Sequence, residues 1–192
     1  MHRSSENHTP DPLAALRAAT AARHELLDSS LPIAAPDATL ADYAAHLRMV
    51  RAWLAPLSAW LAEAGDGPAC AETERLARID ADLRDLGVAA TDAAAVAPSW
   101  PLDASAAYRW GVCYVIEGSQ LGGAVLHARL RERLAPHPLR YLQGEEGGPG
   151  PRWRAFMAAL REHVRTEAEI AEACAGGCAA FDAMLALRPD VR

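Results

Sequence analysis

Between Val112 and Leu126 the apolar residues keep the spacing of an α-helix, with Val112, Val115 and Ile116 before, and Val125 and Leu126 after, the stretch Glu117-Gly118-Ser119-Gln120-Leu121-Gly122-Gly123. Three glycines fall within six residues, and each costs about 1 kcal/mol relative to alanine in a helix interior. A helix that continues through such a defect has a reason for it. Gly118 and Gly122 are four apart, so they strip one face of the helix of side chains and let another body approach the backbone. That body is either a second helix crossing closely, as small residues at this spacing permit, or a flat ligand lying against a kink. The glycines alone leave both readings open.

A second stretch narrows them. Leu16 to Asp28 reads as one helix of good formers with nothing to break it. Helical spacing places Arg17, Thr20, His24 and Asp28 on a single face. A cation, a hydroxyl, an imidazole and a carboxylate therefore converge on an otherwise Ala/Leu helix, a set suited to a metal or an anionic planar ligand. The plainer alternative is a core-facing His24 with an ordinary i,i+4 partner in Asp28.

The rest of the chain predicts an all-α, single-domain helical bundle. Its 192 residues are 51% hydrophobic but only 6% aromatic, and alanine dominates. β-branched runs bounded by turn residues are scarce, so no strand is expected. Residues 1–10 read as a polar, disordered lead, and residues 11–192 as the domain. A first helix is expected from Asp11, an N-cap followed by Pro12, to Ser29. A second runs from Thr39 to Ala64 with a kink at Pro56, and a third from Glu72 to Leu86 with Gly87 as its stop. Residues 88–102 read as a helical turn and a loop. The glycine-bearing helix is expected from an Asp103 cap to Leu134, and Pro136 to Pro151 as loop. A helix from Trp153 to Ala173, an interruption at Gly176-Gly177 and a last segment to Leu187 complete the chain.

Charge and cysteine content exclude several functions. The net charge is −6 and all 19 basic residues are arginine. No basic stripe with interleaved aromatics is present, so a nucleic-acid partner is not expected. No apolar run approaches the roughly 18 residues of a membrane span, and no secretory h-region opens the chain, so a cytoplasmic protein is expected. Cys70, Cys113, Cys174 and Cys178 have neither zinc nor redox spacing.

A helix carrying an axial-type histidine, opposed by a kinked glycine helix, makes the two faces of a haem sandwich. The motifs Leu16-Arg17-x-x-Thr20-x-x-x-His24-x-x-Leu27-Asp28 and Tyr114-Val115-Ile116-Glu117-Gly118-Ser119-x-Leu121-Gly122-Gly123 resemble those of biliverdin-producing haem oxygenases. The likeness is to the bacterial branch associated with bacteriophytochromes. A weaker match lies at Trp153-x-x-Phe156-x-x-x-Leu160, and the similarity spans residues 13 to 187.

The resemblance implies roles for particular residues. His24 becomes the proximal haem-iron ligand, and Asp28 the acceptor that orients it. Arg17 pairs with a propionate, for which guanidinium is a bidentate partner. Arg154 and Arg161 are both candidates for the second propionate. Gly118 and Gly122 contact the distal haem face and leave room for dioxygen, Ser119 stands where animal enzymes carry an Asp that anchors distal water, and Tyr114 lies near a tyrosine that touches haem. Gly118, Ser119 and Gly122 are thus the catalytic candidates.

The activity implied is self-oxidation of bound haem to biliverdin, carbon monoxide and iron, the protein ligating, orienting and protonating its substrate. No flavin or nicotinamide fingerprint is present, so neither cofactor is expected to be bound, and electrons are expected from an external ferredoxin, flavodoxin or reductase. A bacteriophytochrome receiving the biliverdin is a further implied partner. Arg129, Arg131, Arg133 and Arg140 form either a dock for an acidic donor or a solvated face. The rival function is a haem sensor or carrier of the same fold that does not turn its ligand over.

Overall fold

The computed structural model describes residues 11–64, 72–89 and 100–188. The expected lead over 1–10, most of the loop over 88–102 and Cys70 lie outside these residues. Seven α-helices and one 3-10 turn (Pro32–Ala34) are present among the described residues, and no strand: α1 (Pro12–Ser30), α2 (Leu40–Ala64), α3 (Glu72–Asp85), α4 (Ala106–Leu130), α5 (Arg140–Gln143), α6 (Gly150–His163) and α7 (Glu167–Ala186).

The apolar stripe of α2 explains the main core. Tyr43, Leu47, Val50, Trp53, Leu54 and Leu57 recur at helical spacing and are all buried, and Ile79 and Leu83 of α3 meet them. Fully burying each such side chain contributes on the order of 1.5–3 kcal/mol. α2 continues through Pro56. Asp82, fully buried, fastens this core by accepting from the Tyr43 hydroxyl at 2.6 Å, the Tyr141 backbone N–H at 2.9 Å and Arg140 at 2.9 Å. A second core joins Leu13 and Leu16 of α1 to Trp110 and Cys113 of α4, Phe156 and Leu160 of α6, and Ile170 and Ala173 of α7.

Four differences from the sequence-based expectation stand out, three of them with a local reason. α4 starts on Ser105, not Asp103, because the Ser105 hydroxyl accepts the Tyr108 N–H at 3.1 Å; it ends at Leu130 and turns carry the chain to Pro136. The expected loop 136–151 contains α5, whose Tyr141 and Leu142 are buried. The single helix expected from Trp153 to Ala173 is two, because Val164 is extended and Thr166 opens α7 with a capping box to Glu169.

The fourth difference is the largest. Gly176 and Gly177 do not interrupt α7; they lie inside it, where α4 crosses. A Cβ on Gly176 would collide with the Tyr108 backbone carbonyl, and one on Gly111 with the Ala173 carbonyl. At Gly177 an added Cβ would sit 3.1 Å from Leu16 Cδ2 of α1 and 3.4 Å from the Gly111 oxygen of α4. Three helices meet there, α4 and α7 backbone to backbone and α1 through the Leu16 and Thr20 side chains. α7 packs extensively on both α1 and α4, so it holds those two helices in fixed relation.

Candidate functional site

Along α1, and bounded on α4 by Tyr114, an open cleft of about 700 Å³ forms. Arg17, Thr20, His24 and Asp28 of α1 line it together with Tyr114 of α4. All four residues of the predicted α1 face are therefore brought to one surface, and Tyr114 joins them.

His24 is held from two sides. Its Nδ1 lies 3.0 Å from Asp28 Oδ2, and its ring meets Phe181 of α7 edge-on, with centroids 5.8 Å apart. The side chains of His24 and Asp28 are 63% and 66% exposed, so the pair adds little to fold stability. Its effect is orientation. A carboxylate accepts, so the shared proton sits on Nδ1 and the Nε2 lone pair is left for a metal. One residue earlier, Arg23 forks onto Asp182 of α7 with contacts of 2.7 and 3.0 Å. That bridge and the Phe181 contact fix how the His24 turn of α1 sits on α7.

The floor of the cleft is polar. Thr20 is buried, and its hydroxyl donates to the Leu16 carbonyl at 2.8 Å, which leaves its methyl on Gly177. Burial pushes the Tyr114 phenol up, against the charge of Arg17 and hydrogen bonds to Thr20 and Arg17. Tyr114 thereby stays a neutral phenol and ties α4 to the cation at the head of the cleft.

Gly118, Ser119 and Gly122, further along α4 than Tyr114, are not among the residues that line the cleft. Gly118 lies one turn further along the same α4 face, and the Trp153 ring of α6 covers it; a Cβ there would be 3.7 Å from that ring. Gly122 faces open space. Ser119 points about 140° around the helix from Tyr114. Its hydroxyl donates to the Ile116 carbonyl at 2.7 Å and accepts from Gln120 Nε2 at 3.4 Å. Tyr141, raised by burial, hydrogen-bonds Gln120 and Ser119 from behind α4.

The two arginine candidates lie outside the cleft lining. Arg161 is committed to Asp11 at the start of α1, with a bidentate pair at 2.8 and 3.2 Å. Arg154 is exposed, its Nη1 3.4 Å from where a Gly150 Cβ would be. The supposed docking cluster is largely a brace. Arg129 donates to the Ala34 carbonyl, Arg133 to that of Ala38, and Arg140 to Asp82 and Asp85.

Two features behind the wall escaped the sequence reading. Glu117 is buried between Arg75, at 3.0 Å, and Arg152, at 2.8 Å. Burial raises its carboxyl, but the two guanidiniums outweigh burial and hold it below the ordinary carboxylate range. Trp153 was noticed only as part of a weak motif, whereas it stands against both Tyr114 and Gly118. An aromatic four residues before a helix's half-buried Met157 carries no signal of a partner on another helix; the three residues to Phe156 do mark one α6 face.

The chain resembles known proteins along most of its length. A protein named heme oxygenase from Xanthomonas campestris pv. campestris (strain 8004) is 38% identical over 138 residues, spanning 71% of this chain and 79% of the relative. The solved NO- and CO-bound heme oxygenase of Neisseria meningitidis superposes with a TM-score of 0.72 at 25% identity, covering 92% of this chain and 89% of that one. No family model matches the chain.

Proposed function

Because the chain belongs to the haem oxygenase family, we propose that the α1–α4 cleft is where its substrate sits and that His24 is the iron ligand. The protein is an all-α enzyme that degrades haem oxidatively. Within that activity the assignment of residues is our reading, and one observation carries it: His24, held at Nδ1 by Asp28, lines the cleft.

The residues suit the ligand. The cleft volume, about 700 Å³, lies in the roughly 300–1,000 Å³ range of small-ligand sites. Arg17 at its head fits a propionate, since guanidinium and carboxylate pair in two parallel hydrogen bonds. For a second propionate Arg154 is the better candidate, because the fork of Arg161 is already filled by Asp11. Bound haem supplies the dioxygen chemistry and is itself the molecule oxidised.

The chain's own residues do the rest. Gly118 is backed by the Trp153 ring, whereas Gly122, with open space before it, leaves room for a diatomic molecule. Tyr114 offers a neutral O–H beside Arg17 and Thr20. Ser119 acts from behind the helix, fixing Gln120 and Tyr141, and reaches the cleft only through water. Electrons come from an external donor of the ferredoxin, flavodoxin or reductase class. A bacteriophytochrome as biliverdin acceptor, on the strength of the sequence resemblance, and a cytoplasmic setting, expected from a sequence with neither a secretory h-region nor a membrane-length apolar run, complete this reading.

Reconstitution with haemin tests it. Under air with ascorbate, the Soret band should fall while a broad red biliverdin band grows. His24→Ala should abolish the native Soret spectrum; an unchanged spectrum in that variant overturns the assignment.

A further inference from the structure

A row of aromatic rings leads away from the cleft. Tyr114, in the cleft wall, has its centroid 5.6 Å from that of Trp153. Trp153 stacks with Phe156 at 5.7 Å and 16°, and Phe156 lies 5.5 Å from Trp110. Trp110 in turn stacks on His163 at 4.8 Å and 25°, and His163 is exposed. The row alternates between two helices, Tyr114 and Trp110 being one turn apart on α4 while Trp153, Phe156 and His163 share a face of α6.

Packing explains why large rings fill this second core. It does not explain a contiguous series with one end in the cleft and the other at solvent. A second aromatic group, Trp60 with Trp100 at 5.5 Å and Tyr108 at 6.3 Å, has no member in the cleft lining. Indole and phenol are the aromatic side chains that give up one electron most readily. Electron tunnelling falls off exponentially with the gap between rings, and here each gap is close to van der Waals contact. Phe156 is too hard to oxidise to be a stop, but its ring fills the space an electron crosses between the two indoles.

We propose that Tyr114, Trp153 and Trp110, bridged by Phe156 and ending at His163, form a route that brings single electrons from a surface reductant to the cleft when hydrogen peroxide reacts at bound haem. The proposal rests on the cleft being the haem site. Reduction of one hydrogen peroxide to two waters takes two electrons and two protons. Each electron leaves a ring at the cleft end, and that ring releases its O–H or N–H proton. A donor of the ascorbate class then refills the row at the Trp110–His163 end, and the ring takes a proton back. Two donor molecules are each oxidised by one electron per peroxide. Without a donor the oxidised state stays on the indoles, which then take up oxygen. The row thus protects the cleft from the peroxide that a poorly coupled oxygenase generates, and its indoles are the predicted sites of oxidative modification.

The test uses the haem-loaded full chain treated with hydrogen peroxide, read by freeze-quenched electron paramagnetic resonance and by peptide mass spectrometry. A tryptophan- or tyrosine-type radical is expected, with added oxygen on Trp153 and Trp110 and none above background on Trp60 and Trp100. Ascorbate should remove both signatures. Trp153→Phe should abolish oxidation of Trp110, and Trp153→Tyr, which keeps an oxidisable ring, should restore it; the Soret band before peroxide confirms that both variants are folded and loaded. Oxidation of Trp110 that persists in Trp153→Phe, or oxidation spread equally over Trp60 and Trp100, overturns the route. A wild-type chain with no Soret band overturns the cleft assignment itself, and is recognised before any peroxide is added.

Discussion

Replacing glycine by alanine should move stability in opposite directions at two positions of the same helix. In a helix interior the change gains about 1 kcal/mol where there is space. At Gly122 no atom lies within 4 Å of the new Cβ, so Gly122→Ala should stabilise by up to about 1 kcal/mol. At Gly111 the new Cβ would sit 2.9 Å from Ala173 Cα and closer still to its carbonyl. Those are backbone atoms of α7, so a rotamer change cannot relieve the clash and the two helices must part. Overpacking costs typically 1–3 kcal/mol; taking the upper end and subtracting the propensity gain leaves a loss of about 2 kcal/mol. For a chain of this size each kcal/mol moves the midpoint by roughly 2–4 °C. Circular-dichroism melts of the haem-free protein should therefore show Gly111→Ala lower by about 4–8 °C and Gly122→Ala higher by about 2–4 °C. A Gly111→Ala protein that melts at or above wild type refutes the close crossing of α4 and α7.

Other consequences are as direct. Asp28→Ala frees the His24 ring, and loss of such an outer partner costs about 10–100-fold in metal affinity; haemin titration followed at the Soret band should show weaker binding with an unchanged melting curve. Glu117→Gln leaves Arg75 buried against a neutral amide, and uncompensating a buried charge costs on the order of 3 kcal/mol, to be read as a shift in urea midpoint. Because the folded-state pKa of Glu117 is held below its ordinary 4.5, its contribution is present above that pH and is lost as pH falls through the lowered value. His46 acts in the same direction at higher pH. Burial pushes it from 6.5 down to about 4, so the unfolded chain takes up the proton first as pH drops below 6.5. Stability should fall by about 2 kcal/mol between pH 7 and pH 5, and His46→Leu should flatten that slope in urea titrations.

The α1 face was legible because its chemistry is local: i,i+4 spacing alone brings Arg17, Thr20, His24 and Asp28 to one line, and the cleft lies along it. The helical class followed from alanine content and missing strand patterns. The Gly176-Gly177 pair misled for a physical reason. Glycine weakens an isolated helix, yet the same missing Cβ is what an opposing backbone requires, and only the fold says whether one is there. The break at Val164 was readable after all, since Thr166 and Glu169 have capping-box spacing. The partners of Glu117 were not. Arg75 and Arg152 are 42 and 35 residues away along the chain, and no periodicity couples such separations. For Ser119 the spacing gave a position but no partner: it lies off the face that Tyr114 occupies, and its hydroxyl bonds back to the Ile116 carbonyl.

The meeting of α1, α4 and α7 at Gly177 has a consequence for anyone wishing to reshape the cleft. The gap between α1 and α4 is gauged by α7, through Ala173, Gly176 and Gly177, none of which lines the cleft. Changing the lining alters the chemistry presented across a slot of constant width. Changing the width means altering small residues on α7, out of reach of any substrate. Selection for a bulkier or slimmer tetrapyrrole would therefore leave its mark on a helix that never touches one, and a library confined to the lining would miss the positions that matter most.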